Sequence, residues 1–181
     1  MPRISGEIVI DRPVAEVFDF VADERTEPLY NPALLRSEKL TCGPIGVGTR
    51  FAAVHAPARR PVEMTIEVTE YDRPCTFGSR TTMSWADVRG ALTFEAAGAG
   101  TRMRWAWQVQ PKRLARLLVP VVGIVGRRQE RAVWEGLRRY LESGGLRGSA
   151  LTGDLHNDQP DPAARIVQDQ ADRPQRTKST P

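Results

Sequence analysis

The sequence predicts an α+β domain in which an antiparallel sheet bends around one long C-terminal helix. Two observations carry this. Lys112–Ser143 repeats apolar residues at helical spacing: Leu114, Leu118, Val121, Val122, Val125, then Ala132, Val133, Leu137, Tyr140 and Leu141. Arg113, Arg116, Arg127, Arg128, Arg131, Arg138 and Arg139 occupy the other side. Upstream, a series of short segments alternates with the period of strands, and short turns join them, which makes them antiparallel. One face of those strands is apolar and needs a cover, and only the C-terminal helix is long enough to supply it. A helix of about 30 residues spans roughly 45 Å, longer than most strands, so the sheet must wrap around it.

Taken in order, Arg3–Ile10 reads as the first strand. Asp11 is then a helix N-cap candidate, and Pro13 suits a first helical turn. Val14, Val17, Phe18 and Val21 continue at helical spacing, with an end expected near Ala22–Asp23. Glu27–Pro32 (EPLYNP) holds two prolines and predicts a short helical turn or bend. Leu34–Leu40 is a second strand, and Cys42–Gly48 (CGPIGVG) a turn-rich connection. That connection opens no helix and lacks the Gly-Lys-Ser/Thr ending, so it does not read as a phosphate loop.

Thr49–Ala56, Val62–Thr69, Thr76–Met83, Val88–Glu95 and Thr101–Val109 follow as strands. The expected turns are Asp72-Arg73-Pro74, Ala86-Asp87 and Ala97–Gly100. Pro120 is expected to kink the long helix, and Gly144-Gly145 to cap it. From Leu146 to Pro181 no aromatic residue occurs, while Asp, Gln, Arg and Pro abound. The reading is a domain over residues 1–143 and a disordered polar tail over 144–181.

Composition narrows the function classes. The net charge is +4, much of it arginine on the last helix, which is the pattern of a solvated face. No helix-turn-helix, zinc-finger or RNP pattern appears, so nucleic acid is not an expected partner. A basic amphipathic helix also suits peripheral contact with an anionic membrane. Cys42 and Cys75 form no disulfide framework or metal spacing, and MPRISGEIVIDRP lacks the apolar core of a signal peptide. The apolar run Leu117–Gly126 is far short of the roughly 20 residues of a membrane span. These features point to the cytoplasm. Neither a metal nor a cofactor is called for.

The opening strand, DRPVAEVFDFVAD, the YNP bend, GPIGVGTRF, the strand meander and the terminal helix together resemble the START-like (SRPBCC) superfamily. More narrowly, they are similar to its polyketide cyclase/dehydrase and lipid-transport group of small bacterial proteins. The resemblance covers about Pro2–Ser143. It implies a helix-grip fold: a bent seven-stranded antiparallel sheet gripping the last helix, with a cavity between them. Members bind lipids, polyketides, hormones or other apolar molecules, and some catalyse cyclisation or hydrolysis. Relatives often carry tryptophans in the bend where this chain has Leu29, Tyr30 and Asn31.

In such a fold the inward strand residues line a core or a cavity. The apolar candidates are Phe51, Met64, Ile66, Phe77, Met83, Leu92, Trp105 and Trp107, with Leu118 and Val122 from the helix. Phe94 shares their parity. Ser79 and Thr81 are inward polar groups that could orient a ligand carbonyl or hydroxyl. His55 has inward parity but lies at a strand end, where exposure is expected; its imidazole is a weak candidate for a general base. Tyr30, expected at the cavity mouth, is the other weak catalytic candidate. Glu63, Glu67, Glu95 and Asp87 fall on outward faces or turns, and no paired acids aimed inward are evident. Binding or carriage of a hydrophobic small molecule is therefore the leading expectation. A cyclase, dehydratase or hydrolase using His55 or Tyr30 is the first alternative. An interaction module that uses the arginine face or the tail is the second.

Overall fold

The computed structural model describes residues 3–56, 61–112 and 119–144, and for 119–127 the backbone alone. Expectations for Leu114 and Leu118, for the side chains of Val121, Val122 and Val125, and for the tail lie outside the described residues.

Among those residues, seven strands form one sheet: β1 (Arg3–Ile10), β2 (Leu34–Lys39), β3 (Arg50–His55), β4 (Val62–Asp72), β5 (Thr76–Met83), β6 (Ala86–Ala97) and β7 (Gly100–Pro111). The order is β1-β7-β6-β5-β4-β3-β2, and every neighbouring pair is antiparallel. The strands β2 to β7 meander, and β1 returns to pair with β7. The sheet is not closed; β1 and β2 are its edges. Between them run α1 (Val14–Ala22) and a 3-10 helix, Glu24–Leu29. The last helix is α2 (Val119–Glu142). This is the helix-grip fold.

Period-two alternation built the sheet as expected. Cross-strand register sets Met64 opposite Met83, Ile66 opposite Thr81, Val88 opposite Thr81 and Leu92 opposite Trp105, so one face collects the large apolar residues. Two details differ. Ala86-Asp87 is not a turn: Ala86 is fully buried in β6 beside Ile4 and Val109, and the chain reverses at Ser84-Trp85 instead. β4 also runs on to Asp72, with a bulge between Val68 and Glu70. A bulge offsets the alternation by one residue, which brings Tyr71 onto the ring of Phe77.

At α1 the cap differs from expectation too. Pro13 is the N-cap, at φ −57°, and no side chain caps the helix. The Asp11 backbone N–H donates instead to Glu142 Oε1 at 3.0 Å, which ties the end of β1 to the end of α2. The helix buries Val17, Phe18, Phe20, Val21 and Ala22; Phe18 packs on Tyr71 and Phe94 of the sheet, and Phe20 on Tyr30 and Tyr140.

In α2, Trp134, Leu137 and Leu141 are buried, whereas Ala132, expected on the apolar stripe, is exposed. Trp134, Leu137 and Leu141 stand three and then four residues apart, so the buried seam runs through the indole and turns Ala132 outward. Gly136 lets the helix meet the bend: a Cβ there would lie 2.5 Å from the Tyr30 carbonyl oxygen. The helix ends as predicted at Gly144, whose φ of +90° suits glycine and whose N–H donates to the Leu141 carbonyl at 3.3 Å. Among the described residues, no helix is long and apolar enough to cross a membrane.

Candidate functional site

Between the concave face of the sheet, the 3-10 helix and α2 lies a cavity of about 300 Å³. That is the lower end of the range for small-molecule sites, about 300–1,000 Å³. The strands supply most of the wall. Met64 and Ile66 come from β4, Phe77, Ser79, Thr81 and Met83 from β5, Val88 and Leu92 from β6, and Trp107 and Val109 from β7. Their shared parity puts them on one face, because side chains an even number of residues apart along a strand point the same way. Ile4 of β1, Val21 of α1, Val62 of β4, Trp85 at the β5–β6 reversal, and Val133 and Trp134 of α2 add to the apolar lining.

Two residues expected in the wall are not in it. Phe51 is fully buried in β3, and Trp105 packs on Trp134 with ring centroids 5.9 Å apart. Both belong to the core beside the cavity; for Trp105 the Trp134 ring fills the space in front of it. Phe94 likewise packs against Phe18 under α1, at 5.2 Å. Leu118 and the side chain of Val122 lie outside the described residues.

The polar wall departs furthest from expectation. Tyr30 is not at a mouth but in the wall, 7% exposed and packed against Phe20 and Trp134. His55 is half-buried rather than exposed, because α2 crosses the end of β3. Its Nε2 lies 3.0 Å from the Gln129 side-chain nitrogen. With that amide nitrogen as donor, Nε2 accepts and Nδ1 carries the ring proton. Burial lowers the His55 pKa, so the ring is neutral at neutral pH.

Inward acids are present after all. Glu24 and Glu27 of the 3-10 helix and Glu130 of α2 all line the cavity. Burial pushes the Glu24 carboxyl well above the usual range, and Glu27 adds to this by its charge and by their shared hydrogen bond. Burial raises Glu27 as well, against the hydrogen bonds from Asn31 and Glu24. The Asn31 side chain donates to Glu27 Oε1 at 2.7 Å and accepts from the Ala33 N–H at 3.1 Å. Both carboxyls are thus raised, with burial as the main cause in each.

Glu130 is pushed up to about 7, mainly by burial and then by the Glu27 charge, against two hydrogen bonds. The indole N–H groups of Trp107 and Trp134 both donate to Glu130 Oε2, each at 3.0 Å. Tyr30 stands among these acids. Burial and the charges of Glu27, Glu24 and Glu130 raise its phenol well above the ordinary value. Chemically, the wall offers carboxyl groups that burial shifts toward the protonated form, a neutral imidazole, and hydroxyls with no partner among the described residues. Among the described residues, no group of three His, Cys, Asp or Glu side chains is placed to hold a metal ion.

Sequence reasoning missed Glu24, Glu27, Glu130, Gln129, Asn31 and Trp134. One signal was available. Glu130 stands three residues before Val133 and seven before Leu137, so it shares the helix face that the apolar stripe defines. The direction of Glu24 and Glu27 follows from the bend, which no periodicity describes.

The family model for polyketide cyclase/dehydrase and lipid transport matches residues 1–142. The chain belongs to this family. Solved structures with the same fold include a START superfamily protein from Mycobacterium smegmatis, at 12% identity and a TM-score of 0.70. The match covers 79% of this chain and 99% of that protein. TTHA0849 from Thermus thermophilus shares 20% identity at a TM-score of 0.68, over 79% of this chain and 99% of its own. The di-domain ARO/CYC BexL from the BE-7585A biosynthetic pathway shares 17% identity at a TM-score of 0.66, over 78% of this chain and 47% of its own. No curated protein matches the chain by sequence.

Proposed function

We propose that residues 1–143 form a binding or carrier domain for a small hydrophobic molecule, held in the cavity between the sheet and α2. The observation that carries this is the cavity itself: about 300 Å³, walled mainly by apolar side chains, where a plain core would be filled. Membership of a family known for hydrophobic ligands supports it. Met64, Ile66, Phe77, Met83, Leu92 and Trp107 are the proposed apolar contacts, and Tyr30, Ser79 and Thr81 the polar ones. Free, exposed Cys42 and Cys75 suit a reducing compartment such as the cytoplasm.

The test is native mass spectrometry of the protein purified without added ligand, followed by organic extraction. A co-purified apolar molecule that is lost on substituting Tyr30 supports the reading. A bare mass, together with no uptake of a hydrophobic dye such as ANS by the folded protein, counts against it.

A second reading is favoured by one observation. Burial raises the Glu24 carboxyl well above its ordinary value and pushes Glu130 up to about 7 beside an apolar cavity, which suits general acid catalysis. An acid–base reaction of the cyclase or dehydratase type would then rest on these acids rather than on His55, whose Nε2 is engaged by Gln129. The ARO/CYC designation of BexL is consistent with that reading.

A further inference from the structure

Among the described residues the cavity wall is one-sided in charge. Among the described residues its wall holds three carboxyl groups, Glu24, Glu27 and Glu130, and no lysine or arginine. His55 adds no positive charge, being neutral. None of the three acids makes an ion pair among the described residues; Arg25, adjacent to Glu24, is committed to Asp23 at 2.6 Å.

The same wall also carries polar groups that face the void. Tyr30 and Ser79 are each only 7% exposed and line the cavity, yet neither hydroxyl has a hydrogen-bond partner among the described residues. A hydroxyl that faces a void can donate to or accept from a ligand atom placed there. Glu130 repeats the pattern. Both indoles donate to Oε2, and Oε1 has no partner among the described residues. The two indoles thereby fix the carboxylate while leaving its second oxygen without a partner among the described residues.

We propose that the cavity selects hydrophobic amines, the protonated amino group lying against Glu130 and the Glu24–Glu27 pair. This rests on the reading of the cavity as a small-molecule site. The physical argument is electrostatic. Three carboxyl groups in one apolar cavity cannot all ionise cheaply, and an ammonium among them offsets their mutual repulsion and their desolvation. The aromatic rings of Tyr30, Trp107 and Trp134 in the same wall add cation–π attraction. A carboxylate ligand, such as a fatty acid, would bring a further negative charge that no lysine or arginine among the described lining residues meets.

The test is isothermal titration calorimetry at pH 8 with three probes of one skeleton: 4-phenylbutylamine, 4-phenylbutan-1-ol and 4-phenylbutyrate. The amine is expected to bind roughly tenfold or more tighter than the alcohol, and the carboxylate more weakly than either. Glu130→Gln should cost the amine roughly tenfold while the alcohol stays within about twofold. If the variant does not fold, the ranking of the probes on the wild-type protein decides alone. Alcohol or carboxylate binding as tight as the amine overturns amine selection and leaves the hydrophobic-site reading standing. No binding by any probe also overturns it, and the extraction experiment then judges the broader reading by itself.

Discussion

Beneath α1, Phe18 meets Tyr71 and Phe94 edge to face, with ring centroids 5.3 and 5.2 Å apart, and Val17, Phe18 and Met103 are fully buried. Beneath the bend and α2, the same sheet carries Ser79, Thr81 and Met83 along one wall of a void of about 300 Å³. Phe77 stands at the border, touching Tyr71 on one side and lining the cavity on the other. One sheet face therefore serves two purposes. Where both layers supply large rings, the gap closes. Where the covering layer interposes Glu24, Glu27 and Glu130 among Tyr30, Val133 and Trp134, the apolar strand residues are only partly covered, and the gap stays open.

The sharpest way to break this contrast is at the packed end. Phe18→Ala should destabilise the protein by about 3–5 kcal/mol, the usual cost of deleting a buried phenylalanine. Urea denaturation checks this. If Phe18→Ala costs no more than a substitution in the cavity wall, the two ends do not differ in packing.

Next comes the charge at the hollow end. The unfolded Glu130 carboxyl titrates near 4.5 and the folded one at about 7. Between those values the folded state holds a proton that the unfolded state has released. Stability from this group is therefore whole below about 4.5, falls as pH rises through the window, and levels off above about 7. The gap corresponds to roughly 3 kcal/mol. Glu130→Gln removes the titration and keeps a carbonyl acceptor for an indole. The variant should thus gain on the wild type by up to roughly 3 kcal/mol between about pH 4.5 and 8, measured as the difference of their urea midpoints. A difference independent of pH would show that Glu130 is ionised throughout.

The same contrast explains what was legible in the sequence. Val62, Met64, Ile66 and Val68 announced a strand face because alternation depends only on the backbone. Tyr71 did not, because the bulge after Val68 is set by pairing with β5. Cavity and core residues shared one parity, so Phe51 and Trp105 looked like Met64 and Trp107; what stands in front of each is decided by the other layer. Glu24 and Glu27 were hidden because a bend has no period to read. Glu130 was readable in principle, but the many arginines around it made its face look solvated.

A filled cavity is the smallest and most discriminating change. Ser79 sits on a strand wall facing the void, and its hydroxyl forgoes no hydrogen bond among the described residues when removed. Ser79→Leu should therefore change stability by under about 1 kcal/mol, since the added carbons enter open space and gain burial. The same enlargement in a packed core costs about 1–3 kcal/mol through strained rotamers and backbone shifts. Binding should respond in the opposite sense: a leucine there takes volume from the ligand, so uptake of a hydrophobic dye should fall although the fold is intact. Equilibrium denaturation and dye titration on one preparation separate these effects. A loss of about 3 kcal/mol or more would mean that side chains already occupy the space in front of Ser79, and the hollow end would then be an extension of the core.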